Sequence, residues 1–183
     1  MLAVRCHARY RMLGEPPQQS RGSSMADTLP ADPTQRFFEH YPEGAVFELG
    51  AFTMTEAEII AFARQFDPQD MHVDPVTAAA GPFGRVIASG WQTVGLMMKL
   101  FVAHFLPKNG LASPGVDELR WMKPVFPGDI LRVRVTITEA RLSKSRPDRG
   151  LTRNLIEVRN QDGDIVLSMH PMNFIRCRPG TAA

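Results

Sequence analysis

Cysteine is nearly missing from this 183-residue chain: Cys6 and Cys177, near opposite ends, are the only two. Two distant thiols supply neither a disulfide framework nor paired metal-ligand spacing, and they favour a reducing compartment, read here as the cytoplasm. Long hydrophobic runs are lacking as well. No stretch reaches the roughly 18 apolar residues that a membrane span needs, and the longest apolar segment, Val94 to Leu106, is interrupted by Lys99 and His104. Charge of one sign is scarce too. With 21 Lys and Arg against 19 Asp and Glu the net charge is +2, so nothing in the balance calls for a nucleic-acid partner. The start of the chain also has no apolar core of about seven residues, which argues against a secretory signal.

What is present suits one domain. At 44% hydrophobic residues, the chain can bury a core of its own but is short for two. Residues 1–24 carry Arg5, Arg9, Arg11 and Arg21 without apolar periodicity. They are expected to lie outside the fold, with Met25 an alternative start. Residues 25–44 stay polar and Pro-rich, with Phe37-Phe38 as an anchor, so 1–44 is read as disordered or loosely attached, 45–178 as the domain and 179–183 as a tail. Val46, Phe47, Leu49 and Phe52 suggest a strand ending near Thr53. Thr55 and Glu58 form a capping box ahead of Ile59, Phe62, Ala63 and Phe66 at helical spacing. Pro68 stops that helix, and Asp74-Pro75 starts a short second one that ends at Gly81-Pro82. A central helix begins at Ser89-Gly90. Its apolar residues, Trp91 to Phe105, lie nearly all round, so it is expected to be buried. Strands follow: Leu131 to Thr138 with one wet face, Leu151 to Asn160 with a less regular alternation, and Ile165 to Arg176 after an Asp162-Gly163 turn. One early strand, helices and then antiparallel strands indicate an α+β fold. The Lys144-Ser145-Arg146-Pro147-Asp148-Arg149 turn is read as a solvated hairpin.

Chemistry concentrates between Phe66 and Trp91. Asp67 and His72 bring a carboxylate and an imidazole within six positions, ordinarily titrating near 3.9 and 6.5, and both exchange protons once burial tunes them. Gly90 opens the central helix, whose first N–H groups have no internal partner and lie at the positive end of its dipole. Glycine there admits close approach, whether of a ligand or of a packed sheet. Ser89 is read chiefly as the helix cap.

These residues resemble those of the MaoC-like dehydratases, the (R)-specific enoyl-CoA hydratase family. The resemblance rests on Asp67 and His72, Val73-Asp74-Pro75, the Phe83-Gly84 loop, Ile87-Ala88-Ser89-Gly90-Trp91 and Pro124-Val125-Phe126-Pro127-Gly128-Asp129, in that order. It implies a single hotdog domain, an antiparallel sheet wrapped around a long helix. It also implies that Asp67 and His72 activate water, and that the Gly90 N–H polarises the thioester carbonyl of an acyl-CoA substrate. Gln69, Phe83, Ser89, Trp91 and Gln92 are the expected substrate contacts. No metal or redox cofactor is expected, coenzyme A being part of the substrate, and a homodimer or higher homo-oligomer is implied. The family's usual Asn-Pro is here Gln69-Asp70. Gln69 keeps an amide able to orient water, and the added carboxylate of Asp70 is expected to raise the pKa of Asp67 and of His72. Two rival functions are an acyl-CoA thioesterase of the same fold and a non-catalytic acyl-CoA binder. The first normally places an acid on the central helix, and Gly90 to Phe105 has none.

Overall fold

A computed structural model describes residues 12–13, 29–108 and 110–180. Six antiparallel strands form one sheet, in the order β1 (Met12–Leu13), β2 (Val46–Phe52), β4 (Leu131–Leu142), β5 (Arg149–Arg159), β6 (Ile165–Arg176), β3 (Gly115–Trp121). Four helices lie between β2 and β3: α1 (Glu56–Phe66), α2 (Asp70–Val73), α3 (Pro75–Ala80) and α4 (Gly90–His104). Helix α4 runs along the apolar face of the sheet, where Leu96, Met97, Leu100 and Phe101 meet Leu131, Val133, Val135, Ile156 and Leu167 in one core. This is the expected hotdog arrangement, with the sheet wrapped on a central helix.

The local signals operate as the sequence indicates. Thr55 Oγ1 accepts from the Glu58 N–H while Glu58 reaches back to the Thr55 N–H at 2.8 Å, a complete capping box. Asp74 accepts from the Val76 N–H at 2.9 Å and starts α3 ahead of Pro75. The turn between β5 and β6 closes on Asn160, whose side chain accepts from the N–H groups of Asp162 and Asp164, with Gly163 at φ +83°. In the Lys144–Arg149 hairpin, Arg149 pairs with Asp148 at 2.8 Å on the surface.

Three expectations need correcting. Residues 29–44 belong to the domain: Tyr41 is fully buried and its hydroxyl donates to the Phe105 carbonyl at 2.6 Å. Arg36 donates to the Pro30 and Leu106 carbonyls, and Phe38 packs on Gly150. This segment is polar in composition because its anchors are single residues and not a periodic face. Within 1–24, Met12–Leu13 pair with Phe52 and Ala51 at the edge of β2; the other residues before 29 lie outside the described ones, as does the tail from 181. Lastly, α4 is buried on one side only. Trp91, Met98 and Val102 remain exposed, at 56%, 36% and 54%, and their spacing of seven and four sets them on one stripe. The apolar composition of α4 therefore serves two surfaces.

Candidate active site

The end of α1, His72 of α2 and the start of α4 converge on a cavity of about 450 Å³. Asp67 is the C-cap of α1, held there by its N–H to the Ala63 carbonyl at 2.8 Å. Pro68 cannot continue the helix, and the chain turns so that α2 carries His72 inward. The segment before α4 is fixed from both sides, Ile87 N–H donating to Met71 and Ala88 N–H to Val125. Ser89 and Gly90 thereby face the end of α1.

His72 is buried and Asp67 nearly so, their side chains 5% and 18% exposed, and His72 Nε2 lies 3.4 Å from Asp67 Oδ2. The other imidazole nitrogen, Nδ1, is 2.8 Å from the Ile87 carbonyl oxygen. A carbonyl only accepts, so Nδ1 carries a proton, and Nε2 is the nitrogen turned to Asp67 and the cavity, a proton acceptor in the neutral form of the ring. Asp67 receives two donors: Gln69 Nε2 at 2.7 Å on Oδ1 and Ser89 Oγ at 2.7 Å on Oδ2. The Gln69 hydrogen bond, then that of Ser89 and the positive charge of His72 when protonated, hold this carboxyl below the usual carboxylate range despite partial desolvation. The expected upward pull from Asp70 is not what governs Asp67. Asp70 is exposed in the first turn of α2 and is not among the cavity residues.

Asp67, Gln69, His72, Phe83, Gly90 and Trp91 all line the cavity. Ser89 is fully buried behind it, capping α4 through the Trp91 N–H at 3.3 Å while donating to Asp67. It acts on the carboxylate and not as a contact in the wall. Gln92 departs from expectation. Its side chain is buried against α1, donating to the Glu58 carbonyl at 3.2 Å, because successive residues on a helix point about 100° apart and the cavity side falls to Thr93. Sequence reasoning missed the opposite wall of Trp121, Met122, Val125 and Val166.

Among the described residues no group accepts the Gly90 N–H. The site thus offers two proton acceptors side by side, Nε2 and a carboxylate, next to a free N–H at the positive end of a helix. Two acceptors call for a donor molecule, and water has two protons to give. The arrangement can draw a proton from water and stabilise an oxyanion a few ångströms away.

Asp67 should titrate accordingly. Its carboxyl carbon, followed by NMR, is expected to shift below the ordinary Asp range, and Gln69→Leu or Ser89→Ala should each move the midpoint up. A depressed folded-state pKa contributes stability above the unfolded value and loses it as pH falls through the folded one. Acid unfolding should therefore begin at higher pH in either variant.

Comparison with known proteins bears on the family and the fold. The MaoC-like domain family matches residues 40–159. The YdeM protein of Bacillus subtilis is 32% identical over 124 residues, 67% of this chain and 86% of that protein. The 3-hydroxyacyl-thioester dehydratase Z of Mycobacterium tuberculosis is 41% identical over 87 residues, covering 46% of this chain and 56% of its own length. A MaoC-like dehydratase from Rhodospirillum rubrum superposes with a TM-score of 0.74 at 36% identity, over 79% of this chain and 99% of that one. A family match over residues 40–159 and a superposition over most of the chain agree with one another, and the chain belongs to the MaoC-like dehydratases.

Proposed function

We propose that the protein hydrates a trans-2-enoyl thioester of coenzyme A to the (R)-3-hydroxyacyl thioester, or runs the reverse dehydration. Asp67 and His72 are the acid–base pair and the Gly90 N–H is the oxyanion donor. The observation that carries this reading is the 3.4 Å juxtaposition of Nε2 and Oδ2 beside an unengaged helix-terminal N–H. A relative named as a 3-hydroxyacyl-thioester dehydratase, of which the chain spans about half, supports the substrate class.

In this mechanism the water oxygen bonds to C3 as its proton passes to His72 Nε2. The π electrons of C2–C3 move toward the thioester oxygen, where the Gly90 N–H and the α4 dipole stabilise the charge. A proton relayed through the pair then reaches C2 and the enolate collapses to the thioester. Gln69 and Ser89 keep Asp67 ionised and oriented, while Phe83 and Trp91 bound the substrate. Nothing is oxidised or reduced, so the proposal calls for no redox cofactor, and every step is assigned to side chains and a backbone N–H, with none assigned to a metal.

A second copy of the chain completes the proposed form. The exposed α4 stripe of Trp91, Met98 and Val102 continues into the free edge of β3, with Val116, Trp121 and Met122 exposed. A strand edge beside an apolar stripe is self-complementary across a two-fold axis and is costly to leave in water. Sedimentation should give a dimer for the wild type, and Val102→Glu, which places a charge in the stripe, should give monomer. No described helix is long and apolar enough to cross a membrane; the cytoplasm, read from two distant cysteines, is the proposed compartment.

The function is tested by offering trans-2-enoyl-CoAs and following enoyl absorbance and free thiol together. Loss of absorbance without thiol release is the expected result. Thiol release would make the protein a thioesterase, and tight binding with neither change would make it a binder.

A further inference from the structure

Both tryptophans of the chain stand in the cavity wall. Trp91 is the second residue of α4 and Trp121 the last of β3, and their rings meet edge to face, with centroids 5.2 Å apart at 76°. Trp121 also lies on the helix start. A Cβ built on Gly90 would sit 2.3 Å from Trp121 Nε1, 2.4 Å from Cε2 and 2.7 Å from Cδ1. Near-equal distances to three consecutive ring atoms mean that the indole covers Gly90 with its face. The missing side chain at Gly90 is space that this ring occupies.

An irregularity in the strand aims the ring. Val116 pairs with Pro171 and Trp121 with Leu167, so five steps on β3 match four on β6 (121 − 116 against 171 − 167). The extra residue falls between Asp117 and Arg120, where Glu118 has φ +51°, a left-handed conformation that few residues other than glycine adopt. Pro171 and Leu167 are both buried and four apart, hence on one face of β6. In a regular strand that starts from Val116 on this face, Arg120 would point at α4 and Trp121 away from it. The bulge exchanges them and puts an indole where a guanidinium would stand.

We propose that Trp121, braced by Trp91, is the residue that sets acyl length, turning away chains longer than a few carbons. This rests on the hydratase reading of the same site. In that reading the substrate is held at C1 to C3 between Gly90 and the Asp67–His72 pair, and Trp121, which covers Gly90 and lines the same cavity, bounds the space left for what extends past C3. The cavity, about 450 Å³, is toward the small end of ligand pockets of roughly 300–1,000 Å³, and it must also hold the thioester end of the pantetheine arm. Trp121, Met122, Pro124, Val125 and Val166 make that wall mainly apolar, and Lys123 among them is paired with Asp164 at 2.7 Å.

The test is kcat/KM across trans-2-enoyl-CoAs of increasing length for the wild type, Trp121→Ala, Trp121→Phe and Trp91→Ala. The wild type should favour short chains and lose about tenfold or more for each two carbons past the indole. In Trp121→Ala the optimum should move to longer chains, raising the long-to-short ratio by about 10²-fold, and Trp121→Phe should fall between. An unchanged ratio in Trp121→Ala and in Trp121→Phe, with or without dissociation of the dimer, would make Trp121 an interface residue only and overturn the proposal. If the wild type hydrates none of the series, the hydratase reading fails separately, and the filter is read from binding. Trp91 is then the only tryptophan in Trp121→Ala, so quenching of its emission by saturated acyl-CoAs gives affinities for comparison with wild type. Equal length dependence of affinity in both proteins would overturn it there.

Discussion

Asp67→Asn and His72→Gln should each lower kcat by about 10²–10⁴-fold, the usual contribution of a positioned acid–base group, while acyl-CoA affinity changes little. The double variant should be scarcely worse than either single one, because groups acting on one water fail together. The geometry gives each loss a distinct cause. Asn at position 67 can still accept from Ser89 but brings no negative charge to the imidazolium that forms when water is deprotonated. Gln at position 72 keeps a polar group near the Ile87 carbonyl but has no lone-pair nitrogen to take a proton. Steady-state kinetics beside binding measured by Trp emission check both halves. A loss confined to affinity would place the chemistry elsewhere.

At Gly90 two roles overlap, and a pair of substitutions separates them. Gly90→Pro removes the N–H at a helix position that accepts proline readily, and Ser89 already has the extended ψ of 135° that a residue before proline requires. It should cost about 10²–10³ in kcat, or roughly 3 kcal/mol of barrier. Gly90→Ala keeps the N–H but drives a methyl into the Trp121 ring, so it should alter substrate preference more than maximal rate. Proline brings the same Cβ, so adding Trp121→Ala should relieve Gly90→Ala fully and Gly90→Pro only in part, leaving the loss due to the missing N–H. Equal losses in Gly90→Ala and Gly90→Pro, both fully relieved by Trp121→Ala, would show that glycine serves packing alone. Thermal unfolding of each variant keeps stability apart from rate.

The sequence carries the helix starts of this fold and the acid–histidine spacing in readable form, since capping boxes, Asp-Pro and Ser-Gly starts depend on neighbours within four positions. What it hides depends on contacts far along the chain. Strand β3 shows no alternation because it is an exposed edge, broken at Glu118 by the bulge that aims Trp121, and so the far wall of the site has no local signal. Strand β5 alternates poorly because Thr152 and Asn154 are fully buried on its core face, with Asn154 donating to Asn173 on β6 at 2.9 Å. Gln69 was legible as a departure from the family pattern but not as a donor to Asp67; that needed the turn after Pro68. Segment 29–44 reads as loose because Arg36 and Tyr41 hold it through backbone carbonyls, which leave no mark in composition.

The central claim is that water adds to C3 of an enoyl thioester at the Asp67–His72 pair. Turnover of a trans-2-enoyl-CoA in ¹⁸O-labelled water, read by mass spectrometry of the product with chiral separation, tests it most directly. The account predicts one ¹⁸O in the C3 hydroxyl of an (R)-3-hydroxyacyl-CoA with the thioester intact, and its near disappearance in Asp67→Asn and His72→Gln. Label in a free carboxylate, or label at C3 that persists at wild-type rate in both variants, would contradict it.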